Sequence, residues 1–197
     1  MEFYQSIHAF YDDIFPLNPS QVSYIEKFIS KDGSMLDIGC GTGNLAIAMV
    51  KKGFKVDAID LEPEMITMAK AKVGQGFPNF IVANMLDIGN VFDIDQYELV
   101  TCFGNTLVHL SHENEIDRFF SGVFKVLKEG GIFLLQILNY DNIVSNGISS
   151  LPLIENERIR FVRNYDFLNN GFIGFKTSLF IKSNQQTIEN SIMLKPI

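Results

Sequence analysis

Three glycines stand at alternate positions in Met35-Leu-Asp-Ile-Gly-Cys-Gly-Thr-Gly-Asn44, directly after an apolar run. Gly39, Gly41 and Gly43 can adopt positive backbone angles and let a ligand approach the main chain closely. A helix behind them would offer free amides and a partial positive charge. Without a ligand, the same residues make a tight strand-to-helix turn. The spacing is GxGxG, whereas dinucleotide-binding turns use GxGxxG and phosphate loops need GxxxxGK[ST]. No lysine follows Gly43. Asp37 adds a carboxylate two residues before the first glycine, where a phosphate would gain nothing from it. A ligand with a cationic end, such as an amino acid's ammonium group, fits better. Asp60 ends a second apolar run and can accept paired hydrogen bonds from two ribose hydroxyls; it can equally cap the helix that opens at Pro63.

These residues need elements to hold them. Phe3, Ile7, Phe10, Tyr11 and Ile14 recur at helical spacing and predict a short amphipathic helix, ended by Pro16 and Pro19. Ser20 is the predicted cap of a second helix reaching about Ser30. Strands and helices then alternate. Apolar strands are expected at 34–39, 54–60, 79–84, 97–103 and 132–138. Between them lie a helix at 44–52 closed by Gly53, one from Pro63 to about Val73, and one capped by Ser111 and stopped by Gly130 and Gly131. Five such strands imply an α/β fold, a parallel sheet with helices on both faces and ligands at the carboxyl ends of its strands.

After Asn139 the periodicity becomes two. Residues 157–167, 171–182 and 186–194 read as a small antiparallel β meander, joined by Asn169-Asn170-Gly171 and Ser183-Asn184-Gln185-Gln186 turns. The acidic excess also stops near Asn139, which marks a boundary there.

Composition narrows the function. A net charge of -7 argues against nucleic acid as the main partner and leaves small molecules as the default. No apolar run is long enough to span a bilayer, so no membrane partner is expected. Two cysteines, Cys40 and Cys102, are too few for a disulfide framework and fit a reducing, cytoplasmic setting, with both thiols buried and inert. Three histidines without HxxxH or CxxC spacing imply no metal.

Taken together, LDIGCGTG, VDAIDLEPEMI, VANMLDI, YELVTCFGNTLVHL and VLKEGGIFLLQI resemble, in order and spacing, the motifs of class I S-adenosylmethionine (SAM)-dependent methyltransferases over roughly residues 33–138. The resemblance implies a Rossmann-like SAM-binding core over 33–139. Residues 1–32 would form an N-terminal helical lid, and 140–197 an antiparallel β lobe serving as substrate cover or dimer contact. It places Asp37, Gly39, Cys40, Gly41 and Gly43 around the methionine part of SAM, with Asp60 on the ribose and Leu61 against the adenine. Asn84 and Met85 would flank that ring; the family often has Asp where Asn84 stands, and an amide oxygen can also accept from the exocyclic amine. Phe103, Gly104 and Asn105 would line the methyl-transfer end, and Tyr4 or Tyr11 could close over the SAM carboxylate or the acceptor.

The implied activity is methyl transfer from SAM, with S-adenosylhomocysteine (SAH) as product, to nitrogen or oxygen of a small molecule. The alternatives are a catalytically silent SAM or SAH binder and, less well supported, an NAD-dependent oxidoreductase. Alignment of the reactants does most of the work in such a displacement. Asn105 and His109 are the candidate catalytic residues, His109 as a general base for a protonated amine or a hydroxyl; the alternative is a histidine held at a helix entry. Arg158, Arg160 and Arg163 could attract an anionic acceptor; a solvated strand face explains the first two as well. The sequence ends at Lys195-Pro-Ile197, where the family usually adds a helix and hairpin; either the chain is a piece of a longer one, or the meander takes their place, or a second chain covers the exposed sheet edge, which predicts a homodimer through that edge or the β lobe.

Overall fold

The computed structural model describes residues 2–74, 76, 78–169 and 171–196. Two compact units divide the chain, one formed by Leu17–Leu107 and His112–Ile137, the other by Met1–Pro16, Val108–Ser111 and Leu138–Ile197.

In chain order the helices are α1 (Glu2–Ile7), α2 (Tyr11–Ile14), α3 (Pro19–Ile25), α4 (Asn44–Lys51), α5 (Pro63–Ala71), α6 (Ile88–Val91), α7 (Glu113–Val126) and α8 (Tyr140–Ser145). The strands are β1 (Ser34–Ile38), β2 (Lys55–Asp60), β3 (Asn79–Val82), β4 (Tyr97–Cys102), β5 (Leu127–Leu135), β6 (Ile154–Glu155), β7 (Ile159–Phe167), β8 (Ile173–Ile181) and β9 (Gln186–Leu194).

In the larger unit β1 to β5 form one parallel sheet in the order β3-β2-β1-β4-β5. The chain must therefore cross from one side of β1 to the other, and the order reverses beside β1. That is the switch point at which open α/β sheets bind ligands. The register levels the carboxyl ends: Ile38 pairs with Ile59 and Cys102, Asp60 with Val82, and Cys102 with Leu135. Apolar side chains on both faces make the sheet stable only when covered, and Met35, Ala46, Met49, Val56, Ile66 and Leu99 fuse strands and helices into one core.

Several boundaries differ from the sequence reading, each for a local reason. Pro19 opens α3 at its first turn, where a missing N–H costs nothing, and Asn18, not Ser20, caps it by accepting from the Ser20 amide at 3.0 Å. A tighter turn, Glu26–Phe28, ends that helix before Ser30. His112, not Ser111, is the cap of α7, and Glu115 reaches back to accept from the His112 amide at 3.1 Å. β5 begins at Leu127 and ends at Leu135, with an irregularity in its pairing between Tyr97 and Leu99. Gly130 within it takes a positive φ of 74°.

In the smaller unit β6 to β9 form an antiparallel sheet in sequence order. Its β7–β8 and β8–β9 pairings run without a break from Ile159↔Ile181 and from Ile173↔Leu194. The short β6 and α8 were not legible beforehand. Asn170 of the expected Asn169-Asn170-Gly171 turn lies outside the described residues. Alternation puts Phe161, Leu179 and Ile181 on one face, against Phe3, Ile7 and Ile14. The first helical stretch is broken into α1, a tight turn His8–Phe10 and α2.

Candidate functional site

The glycine loop closes directly after β1. Gly39, Gly41 and Gly43 have φ of 72°, 54° and 78°, in the left-handed region that side chains rarely enter. Space enforces two of them as well. A Cβ on Gly43 would lie 2.4 Å from Phe80 Cζ, and one on Gly39 would lie 2.6 Å from Thr106 Oγ1.

The loop does not offer its amides outward as a phosphate cradle would. The amides of Gly39 and Cys40 both donate to the Ile59 carbonyl at 2.9 Å, and that of Gly43 to Cys40 at 2.9 Å. The Gly41 amide donates to Asp60 Oδ2 at 2.8 Å. Lys72 Nζ holds the Thr42 carbonyl at 2.9 Å from outside. The amides of Gly39, Cys40, Gly41 and Gly43 are thus spent within the protein, which leaves this turn fewer donors for a diphosphate.

Beneath the loop lies Asp37, only 3% exposed. Burial pushes its carboxyl up to about 7; a hydrogen bond from Thr101 Oγ1 at 2.8 Å pulls the other way, and the nearby Asp60 charge adds to the rise. Among the described residues this buried carboxyl has no cationic partner, and it would gain most from a ligand that brings one. Asp60 at the end of β2 also has its carboxyl raised by burial, opposed by amides donating from Glu62 and Gly41. Glu62 donates to Oδ1 at 3.0 Å. Asp60 therefore knits the loop to the turn before α5, and its oxygens retain lone pairs for further donors.

Leu61, Asn84, Met85, Phe103, Gly104 and Asn105 follow strands of the same carboxyl edge. Leu61 is exposed just beyond Asp60. Asn84 follows β3 and accepts from the Leu86 amide at 2.9 Å through Oδ1, capping the tight turn Met85–Asp87. Phe103, Gly104 and Asn105 follow β4. Asn105 has a φ of 67°, a strained value that Asn tolerates better than most residues and that clusters at functional sites. Gln136, beyond β5, clamps this turn: its Oε1 accepts from the Gly104 amide at 2.8 Å, and its own amide donates to Cys102 at 3.0 Å. Thr101 and Gln136 were missed in the sequence; the signal was a polar residue inside an apolar strand run, in YELVTCF and IFLLQIL. Burial raises the Cys40 thiol well above its ordinary value and the Cys102 thiol to about 12, so neither ionises near neutrality.

Tyr4, Tyr11 and His109 belong to the smaller unit. There Tyr4 Oη and His109 Nε2 share a 2.8 Å hydrogen bond, and burial lowers the His109 pKa below its usual value. The Tyr11 ring tilts against Phe15 with centroids 5.1 Å apart. Arg158 is neutralised by Asp13 at 2.9 Å and Arg160 by Glu155 at 3.2 Å, so the solvated-face reading holds for those two. Arg163 has no such ion pair among the described residues.

Comparison with known proteins fits this geometry. Residues 35–131 match a family described as a methyltransferase domain. A Bacillus subtilis protein, YqeM, whose name assigns it to the methyltransferases, is 34% identical over 137 residues, or 68% of this chain and 55% of that one. Mouse glycine N-methyltransferase is 29% identical over 125 residues, covering 57% of this chain and 43% of its own. The chain thus spans about half the length of the curated relatives it matches. Among solved structures, a SAM-dependent methyltransferase from Clostridium acetobutylicum superposes with a TM-score of 0.75 at 21% identity, over 99% of this chain and 82% of that one. The CcbJ methyltransferase of Streptomyces caelestis gives 0.77 at 16%, over 97% and 79%. At those identities the likeness establishes the fold.

Proposed function

Since the chain belongs to the class I SAM-dependent methyltransferases, we propose that it binds SAM at the carboxyl edge of the parallel sheet and methylates nitrogen or oxygen of a small molecule. The observation that carries this reading is Asp37: a buried carboxyl whose pKa burial pushes up to about 7, under a loop whose Gly39, Cys40, Gly41 and Gly43 amides are committed within the protein. A cationic amino-acid end completes that environment; a diphosphate would worsen it.

The residue roles follow. Asp37 and the loop of Gly39, Cys40, Gly41 and Gly43 hold the methionine end of SAM. Asp60 takes the ribose hydroxyls, and Leu61, Asn84 and Met85 hold the adenine. Phe103 and Asn105 sit at the transfer end. When bound, SAM supplies an electrophilic methyl group on a sulfonium. The protein fixes the ligands, keeps Asp37 dry, and takes up a proton where the acceptor carries one. His109 is the proposed base: its burial keeps the imidazole neutral, and Tyr4 fixes the ring. Glycine N-methyltransferase among the relatives supports a small amine as acceptor. A homodimer is proposed at the outer edge of β5, beside which Phe120 and Phe124 of α7 are exposed, Phe124 by 83%.

The test is transfer of a labelled methyl group from SAM to a panel of small amines and hydroxyl compounds. SAH formation dependent on one acceptor is the expected result. Tight SAM binding with no transfer to any acceptor in the panel would favour the silent binder.

A further inference from the structure

The inner face of the smaller unit's sheet contains an anomaly. Residues two apart along a strand share a face, and directly paired residues on neighbouring strands share it too. On β7 that face carries Ile159, Phe161, Arg163 and Tyr165; on β8 it carries Ile173, Phe175, Thr177, Leu179 and Ile181. All are apolar or aromatic except Arg163 and Thr177, which are paired directly across the two strands. The row continues to Asn190 on β9, whose Nδ2 donates to Ser6 Oγ at 2.8 Å. This polar row runs between two apolar clusters, one around Phe161 and Leu179, the other around Tyr165 and Ile173.

Asn190 is satisfied. The other two are not: among the described residues, Arg163 Nε and Thr177 Oγ1 are buried and have no hydrogen-bond partner. Thr177 is 4% exposed. Arg163 is anchored, because Nη2 donates to the Pro152 carbonyl at 2.8 Å, so its guanidinium is held in place with the Nε edge unmet. A guanidinium stays charged at any ordinary pH and only donates. Leaving such a group unmet costs the free energy of its lost hydration, and more for a charged one. Both groups are cross-strand neighbours, for which Cβ atoms stand about 5 Å apart. What would satisfy them is a negative acceptor with two oxygens.

We propose that Arg163 Nε and Thr177 Oγ1 form a subsite for the carboxylate group of a small-molecule ligand. Arg163 supplies the charge and one donor; the Thr177 hydroxyl supplies the second donor. The geometry also separates Arg163 from Arg158 and Arg160, which alternation and their ion pairs leave on the solvent side. That this carboxylate belongs to the methyl acceptor rests on the methyltransferase reading; the subsite itself does not.

The experiment is NMR observation of the arginine side-chain Nε–H signals of the full chain, titrated with acetate, acetamide, phosphate and chloride at constant ionic strength. Arg163→Lys assigns the resonance. The expected result is a saturable shift of the Arg163 signal with acetate, absent with neutral acetamide and with chloride. Thr177→Val keeps the shape and removes one donor, so acetate affinity should fall at least tenfold while the fold is retained. If Thr177 is merely a tolerated orphan, that variant gains stability and leaves the acetate response unchanged, which overturns the proposal. A response to phosphate without one to acetate overturns the carboxylate assignment. SAH is titrated into the same samples: binding of SAH without an acetate response sinks the subsite alone, and an acetate response without SAH binding supports the subsite while contradicting the cofactor reading.

Discussion

If Asp37 meets the ammonium group of SAM, binding must be linked to a proton. The free carboxyl is pushed up to about 7, against an ordinary value of 3.8. In the free protein the folded state therefore holds this proton more tightly than the unfolded chain does. Asp37 makes the fold less stable as pH rises from about 4 to about 7, by at most about 4 kcal/mol. A cationic ligand reverses the balance, because the ionised form is the one it needs. At pH 6 a carboxyl of pKa about 7 is ionised in about one molecule in ten, so affinity should be about tenfold below its plateau, or about 1.4 kcal/mol. At pH 7.5 most of that loss is gone. Calorimetric titration with SAM and SAH from pH 5.5 to 7.5, repeated in buffers of different ionisation enthalpy, reads both quantities. Affinity should rise across the range, with about one proton released per binding event at pH 6. Asp37→Asn should abolish the pH dependence and weaken binding at pH 7.5 by about tenfold to a hundredfold, the size of a lost charge-assisted hydrogen bond. Thr101→Val removes the hydrogen bond that lowers the Asp37 pKa, so the midpoint should move upward. A wild-type affinity that is flat with pH, with no proton released, would refute this reasoning.

Three further outcomes follow from the same structure. Gly43→Ala places a Cβ against Phe80 and forces a left-handed angle, so urea unfolding should show a loss of about 2 to 5 kcal/mol; a loss below about 1 kcal/mol would mean the loop relaxes freely. His109→Ala should lower turnover by about a hundredfold or more while leaving SAH affinity intact, and at saturating SAM the wild-type rate should reach its plateau at a lower pH than an ordinary histidine would give, since burial lowers the imidazole pKa. Unchanged turnover at every pH would remove His109 from the mechanism. Light scattering should show a dimer that Phe124→Glu disrupts, whereas a monodisperse wild-type monomer would contradict association through β5.

The parallel sheet was legible because its strands are short apolar runs punctuated by Gly, Pro and cap residues, and that pattern specifies βαβ units almost alone. Cap identity was less so: Ser20 and Asn18 are both good caps, and the choice fell to Asn18 because Pro19 takes the first helical position. The glycine loop and its two aspartates could be read from type and spacing. What their amides do could not, because Gly41 finds Asp60 only across 19 positions of sequence. Thr101 and Gln136 hid inside apolar strands, where a single polar residue reads as noise until its partner is known. The three arginines show the reverse case. Strict alternation puts Arg163 with Phe161 and Tyr165, and Arg160 on the opposite face, so the sequence already distinguished them.

The central claim is that the carboxyl edge of the parallel sheet takes SAM with Asp60 on its ribose. Parallel calorimetric titration with SAM, SAH and NAD tests it most directly. Micromolar binding of SAM and SAH, no binding of NAD, and loss of both affinities in Asp60→Ala is the predicted result. Binding of NAD alone, or SAM binding that Asp60→Ala leaves unchanged, would contradict the account.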